Sequence, residues 1–162
     1  MIIREATEAD FPAIWAIYEP IVRKGDTYAF PTDIDEAAAQ QSWLDAPVQS
    51  YVAEEDGETL GTYKLNVNRE GPGDHVCNCG YMVSPKARGR GVASAMCEHS
   101  QLEALKHGFK AMQFNMVVST NTGAVRLWQK HGFEIVGTLP RAFRHPALGY
   151  VDGYVMYKWL AN

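Results

Sequence analysis

No stretch of this chain approaches the roughly 18 consecutive apolar residues of a membrane span, so no membrane partner is expected. The N-terminus, Met1-Ile2-Ile3-Arg4-Glu5, lacks the form of a secretory signal, and a cytoplasmic protein is expected. Cations are not in excess. The formal charge is -4, which argues against nucleic acid as the main partner. Cysteine is scarce and odd in number, at 3, which argues against a disulfide framework. Repeats, low-complexity tracts and linkers are also missing. With 46% hydrophobic and 21% charged residues, the composition is that of a soluble globular protein. Residues 1–162 are therefore read as one domain, long enough to bury a core.

His75-x-Cys77-x-Cys79 raises a metal question, since these residues would share one face of a strand. A closed zinc site needs a fourth ligand and usually a C-x₂₋₄-C spacing. Neither is present, so no metal is expected and the thiols are read as small apolar groups under a helix.

Hydrophobic periodicity gives the order of elements. Ile2 to Ala6 reads as a strand. Thr7 caps a helix that carries Phe11, Ile14, Trp15, Tyr18, Ile21 and Val22 on one stripe and stops at Gly25. Asp26 to Thr32 is a loop with two aromatics. Asp33 is read as the cap of a second helix, Ile34 to Leu44. Residues 50–54 and 59–68 form a hairpin about a D-G turn. His75 to Val83 is a strand, Ala93 to His107 a helix and Ala111 to Val118 a strand. Asn121 caps a helix ending at Gly132. Phe133 to Leu139 is a strand, 140–149 a loop, and Tyr150 to Trp159 the last strand.

Residues 84–90 of this acidic chain contain no acid, only Lys86, Arg88 and Arg90 with Gly89, followed by Gly91. A strand, a basic glycine-rich turn and a helix start suit a phosphate. Glycine lets backbone N–H groups approach, and the helix N-terminus adds partial positive charge. The alternative is a basic turn before an ordinary helix. No G-x-x-x-x-G-K-[ST] is present, and no G-x-G-x-x-G with its acidic partner, so neither a P-loop nor a dinucleotide fingerprint applies.

Arg88-x-x-Gly91-x-Ala93 resembles the acyl-CoA pyrophosphate signature of the GNAT N-acetyltransferases. Asn121-x-x-Ala124 with Gly132-Phe133 resembles a second segment of that family, and the element order matches across the chain. The resemblance implies an α/β (α+β) fold with a mixed, mostly antiparallel central sheet. That sheet would splay between its fourth and fifth strands and be flanked by helices. It implies acetyl-CoA as cosubstrate, a small-molecule amine as acceptor, and a homodimer as a family-level expectation. It further implies that Met82 and Val83 offer backbone groups to the pantetheine arm, with Met82 N–H or a near neighbour polarising the thioester. Arg88, Gly89, Arg90, Gly91, Val92 and Ala93 would surround the pyrophosphate. Asn121 would contact the arm, a role that can coexist with capping. The run from His75 to Tyr81, with Phe114-Asn115-Met116-Val117, is similar to fungal proline-analogue (azetidine-2-carboxylate) acetyltransferases. The Tyr28-Ala29-Phe30 loop is similar to bacterial phosphinothricin and methionine-sulfoximine acetyltransferases.

An amine of pKa about 10.4 is neutral in only about a few molecules per ten thousand at pH 7, so a base, a water relay or a desolvating pocket is needed. The glutamate that many relatives carry on the strand ending at Val83 is absent, and Trp128 stands where relatives place a general-acid tyrosine. Asn78 and Asn115 are candidates to hold the amine and carboxylate of the substrate across the splay. Alternatively, each amide satisfies a broken ladder bond there. Tyr81 is a candidate pocket wall or proton donor to the thiolate. Tyr28 and Phe30 either line the substrate pocket or pin their loop to the core. Arg141, Arg144 and His145 are read as solvated loop residues that could lend positive charge. The expected activity is acetyl-CoA-dependent transfer to the amine of a small amino acid or amino-acid-like toxin. It would proceed by direct attack, with backbone N–H groups stabilising the oxyanion. The rivals are a peptide or protein N-acetyltransferase and a non-catalytic acyl-CoA sensor.

Overall fold

The computed structural model describes residues 1–161. Seven strands form one sheet in the order β1-β2-β3-β4-β5-β7-β6. They are β1 (Ile2–Glu5), β2 (Gln49–Glu55), β3 (Glu58–Val67), β4 (Val76–Val83), β5 (Ala111–Val118), β6 (Glu134–His145) and β7 (Gly149–Trp159). Among the described residues four helices flank it: α1 (Phe11–Lys24), α2 (Glu36–Gln40), α3 (Val92–Lys106) and α4 (Thr122–Lys130). Every strand pair is antiparallel except β4 and β5, which run parallel. Their pairing covers only Val76↔Ala111, Cys77↔Met112 and Asn78↔Gln113. Beyond Asn78 the two strands part, as expected from the fold the sequence resembles.

Period-two alternation splits each central strand between two cores. On one face, Phe11, Ile14, Tyr18 and Val22 of α1 pack with Trp43, Val52 and Met82. On the other, Met96, Cys97 and Ala104 of α3 and Trp128 of α4 pack on Leu65, Cys77, Cys79, Met112 and Met156. Each fully buried Ile, Val, Leu, Phe or Met among them contributes roughly 1.5–3 kcal/mol. Gly61 permits the close seat of α3. A Cβ there would meet Val92 Cγ1 and the Met82 carbonyl at 3.0 Å.

Arg4 binds Asp10 through both terminal nitrogens, at 2.9 and 2.7 Å, and Glu54 at 2.7 Å. This fork fixes the entry of α1, where Thr7 N and Oγ1 also donate to Asp10 Oδ2.

Two elements differ from the sequence reading. The second helix is capped by Asp35, whose Oδ1 accepts from Ala38 N at 2.8 Å, not by Asp33. It has one α turn and widens to a π turn over Gln41–Asp45. The segment 140–149 is not a loop. β6 runs on to His145 and pairs with β7 from Phe143↔Val151, after a bulge between Leu139 and Phe143. The bulge accommodates Pro140, which has no N–H to give, and Arg141, held at φ 55 by its N–H to Asp152 Oδ1 at 2.8 Å.

Candidate active site

The parting of β4 from β5 leaves backbone groups without a ladder partner. On β4, Val76 O and Ser84 N bond to β3, while His75 O accepts from Lys110 on the β5 side. Alternation therefore turns the N–H and C=O of Tyr81 and Val83 into the gap, and those of Met82 toward β3. The expectation for the Met82 N–H is corrected accordingly. Its amide belongs to the β3 ladder, in register with Thr62. The near neighbours hold the groups without a ladder partner: the Tyr81 N–H and the N–H and C=O of Val83, the Tyr81 carbonyl being taken by Tyr28.

A cavity of about 940 Å³ runs through this gap. On the α3 and α4 side its wall includes Val83, Arg88, Gly89, Ala93, Asn121 and Trp128. On the α1 side it includes Lys24, Asp26, Tyr28, Met116, His145 and Leu148.

The basic turn is built for backbone exposure. Gly89 and Gly91 take φ 78 and 79, and a Cβ on either would meet nothing within 4 Å. Both glycines therefore serve a left-handed backbone beside open space, as an anion cradle requires. Gly91 is the N-cap of α3 and supplies no side chain to the first-turn N–H groups. These features fit the diphosphate of an acyl-CoA. Val92 is buried under the helix, so only its backbone can serve the cradle. Arg90 is turned away: its guanidinium pairs with Glu55, which also holds the N-terminal ammonium at 3.0 Å. In the structure its side chain is not part of the cavity wall. Asn121 combines both expected positions, since Oδ1 accepts from Ala124 N at 3.4 Å while the residue borders the cavity.

The aromatic loop divides in its roles. Tyr28 lines the cavity, and its hydroxyl donates to Tyr81 O at 2.5 Å. Burial raises its pKa, so it remains a neutral donor. Phe30 stacks on Tyr28 at 5.5 Å, lies 5.6 Å from Tyr18, and pins the loop to the core. It is not part of the cavity wall. Tyr81 borders the cavity, and its ring lies 4.8 Å from that of Trp128. Its hydroxyl points under α3 to Ser100 Oγ at 2.7 Å and Met112 Sδ at 3.6 Å. Burial raises its pKa far above the ordinary tyrosine value. Of its two expected roles, the wall fits and the proton donor does not.

Asn78 and Asn115 are not brought together at the cavity. Asn78 Nδ2 donates to Gln113 O at 2.9 Å and so closes the ladder where the strands separate. Asn115 is exposed, and its Oδ1 accepts from Gln113 Nε2 at 3.2 Å. Neither residue lines the cavity. The alternative reading, an amide that replaces a lost ladder bond, fits Asn78; Asn115 meets only the Gln113 side chain and fits neither reading.

Cys77, Cys79 and Cys97 are free and buried. Burial pushes Cys77 up to about 12 and Cys97 up to about 11, so neither is a thiolate nucleophile at neutral pH. Among the described residues no group of three or more metal-ligating side chains converges.

Sequence reasoning missed Lys24, Asp26, Met116 and Leu148 and undervalued His145. Asp26 is the only carboxylate in the cavity wall among the described residues; it pairs with Lys24 Nζ at 2.6 Å. His145 Nδ1 accepts from Ala147 N and Leu148 N, both at 3.2 Å, which shapes the hairpin tip and leaves the proton of a neutral ring on Nε2. No local motif marks these residues, because the fold collects them from separate segments.

A mixed sheet opened between two parallel strands, beside a helix N-terminus whose cap supplies no side chain, is the architecture of an acyltransferase. The chain belongs to the acetyltransferase (GNAT) family, whose model matches residues 4–133. It is 30% identical over 159 residues to the L-amino acid N-acetyltransferase AaaT of Escherichia coli (strain K12), covering 96% of each chain. It is 35% identical over 97 residues to the N-acetyltransferase aca1 of Schizosaccharomyces pombe; the match covers 59% of this chain and 46% of that relative, so the chain spans about half its length. Among solved structures, a GCN5-related N-acetyltransferase from Kribbella flavida superposes with a TM-score of 0.93 at 43% identity, covering 98% of this chain and 97% of the other.

Proposed function

We propose that this enzyme transfers the acetyl group of acetyl-CoA to the amine of a small amino acid or amino-acid-like toxin. The observation that carries the reading is one continuous cavity. It joins the glycine cradle at α3, the unpaired backbone of β4 and an acceptor end walled by Tyr28. The full-length similarity to an L-amino acid N-acetyltransferase supports the substrate class.

In this reading the backbone of Gly89, Gly91, Val92 and Ala93, with the Arg88 guanidinium, holds the diphosphate. The Tyr81 N–H and the N–H and C=O of Val83 pair with the extended arm as a partial strand would. Those N–H groups are fixed before the reaction and so stabilise developing negative charge without reorganisation. Asp26, directly or through one water, takes the proton that the attacking amine loses. Tyr28 and Trp128 exclude bulk water from the gap. Direct attack needs no nucleophilic side chain, in keeping with three protonated, buried cysteines. The chain acts as a single domain, and no metal is needed.

The test is thiol release from acetyl-CoA against L-amino acids, proline analogues, phosphinothricin, methionine sulfoximine, polyamines and a peptide. Turnover is expected on free amino acids or their analogues. Turnover on the peptide alone would move the assignment to peptide N-termini, and no thiol release with any amine would leave an acyl-CoA sensor.

A further inference from the structure

Gly153 lies within β7, opposite Val118. It is not among the glycines with positive φ, so its backbone would accept an ordinary side chain. Glycine inside a strand weakens it and often marks a close approach. Here the approach is made by Met116. A Cβ on Gly153 would lie 2.5 Å from Met116 Sδ and closer still to its Cγ, separations that real Cβ atoms essentially never show.

The reason lies in β5. Phe114 pairs with Met156 and Val117 with Tyr154, so two residues, Asn115 and Met116, bulge opposite one on β7. Tyr154 and Met156 pack into the α3-side core, so Gly153, by alternation, faces the α1 side. There the thioether of Met116 occupies the place of the missing side chain. Met116 also borders the acceptor end of the cavity, with Tyr28, His145 and Leu148.

We propose that Gly153 is a specificity-determining position: it lets Met116 lie against β7 and thereby sets the size of the amine that the cavity admits. This rests on the reading of that end as the amine site. A side chain at 153 evicts the thioether. Methionine has three rotatable bonds and repacks readily. The strands close off retreat into the sheet, and the displaced thioether moves into the cavity that Met116 already borders. The enzyme as it stands therefore takes amino acids with bulkier side chains than a Gly153→Ala variant would.

The experiment compares wild type, Gly153→Ala, Gly153→Ala with Met116→Ala, and Met116→Phe. Thiol release is measured on glycine, alanine, methionine and phenylalanine, with acetyl-CoA affinity measured separately. In Gly153→Ala, kcat/KM for the bulky pair is expected to fall about 10-fold or more relative to glycine, the scale on which a pocket resolves side-chain size. The double variant recovers the bulky pair. Met116→Phe, whose ring exceeds the space at Gly153, shows the same size-dependent loss with β7 untouched, so a poorly folding Gly153→Ala does not end the test. Equal losses for all four amino acids, or no recovery in the double variant, would overturn the proposal. If wild type turns over none of the four, the failure belongs to the substrate reading. A crystal structure of Gly153→Ala or Met116→Phe with acetyl-CoA then decides: residue 116 inside the cavity upholds the gate, and residue 116 turned to solvent with the cavity unchanged removes it.

Discussion

The hydroxyl of Tyr28 donates to the carbonyl oxygen of Tyr81, 53 residues further along the chain. That carbonyl faces the gap where β5 has left β4, so it has lost the ladder donor it would otherwise have. A loop side chain thus replaces a strand's hydrogen bond and ties the acceptor wall to the sheet.

Tyr28→Phe keeps the ring and deletes this bond. A buried carbonyl left unpaired costs about 1–3 kcal/mol. Urea unfolding is expected to register a loss on that scale, and the KM for the amine is expected to rise about 10-fold, one decade per 1.4 kcal/mol. Unaltered KM and stability would mean that the loop is held by Phe30 alone.

At Gly91, alanine and glutamate both meet the strain of φ 79. That strain is about 1–2 kcal/mol. Glutamate also places a carboxylate in the anion cradle. Calorimetric titration is expected to find acetyl-CoA binding weakened modestly by Gly91→Ala and abolished by Gly91→Glu. Equal weakening by both would locate the diphosphate elsewhere.

Asp26→Asn removes the carboxylate from the cavity wall. General-base assistance is typically worth about 10²–10⁴-fold, and kcat/KM at neutral pH is expected to fall by about 10²-fold or more. The deficit should narrow as pH rises, because the amine then loses its proton to solvent. A constant deficit across the pH range would make Asp26 a binding group rather than a base.

Lys64 is buried beside the rings of Trp43 (5.1 Å) and Phe30 (5.6 Å) and donates to Ser42 O at 2.5 Å. Burial pulls its pKa down from 10.5 to about 8. Between those values the unfolded chain binds more protons than the folded one, so this group's contribution to stability rises with pH across that window. Below about 8 both states are charged and the contribution is flat. The unfolding free energy of wild type minus that of Lys64→Met is expected to climb by on the order of 1–3 kcal/mol from pH 8 to 10.5. A difference independent of pH would show the ammonium to be solvated.

The elements legible in the sequence were those set by local chemistry. Gly25, Gly108 and Gly132 end helices in the left-handed conformation their positions suggested. The basic turn was legible because its function rests on backbone conformation, which glycine announces. The hairpin tip was not, since the extension of β6 past Pro140 depends on a side chain, Asp152, eleven residues away. Alternation predicted which face of β4 Asn78 occupies. It carried no information on whether the nearest acceptor would be a substrate or the Gln113 carbonyl. Asp26, Met116 and His145 meet only after the sheet has formed, and nothing in their own neighbourhoods distinguishes them from surface residues.

The irregular stretch at 140–142 has a consequence for the outer boundary of the molecule. β6 is the last strand of the sheet, and an open rim of amides and carbonyls invites another chain to add on. Pro140 has no amide to offer, and Arg141 spends its own inward on Asp152. Two consecutive positions are thus closed to a would-be extra strand, and the bulge bends the rim out of register on either side. The same residues that hide this segment's strand character in the sequence also interrupt the row of amides that edge pairing would need.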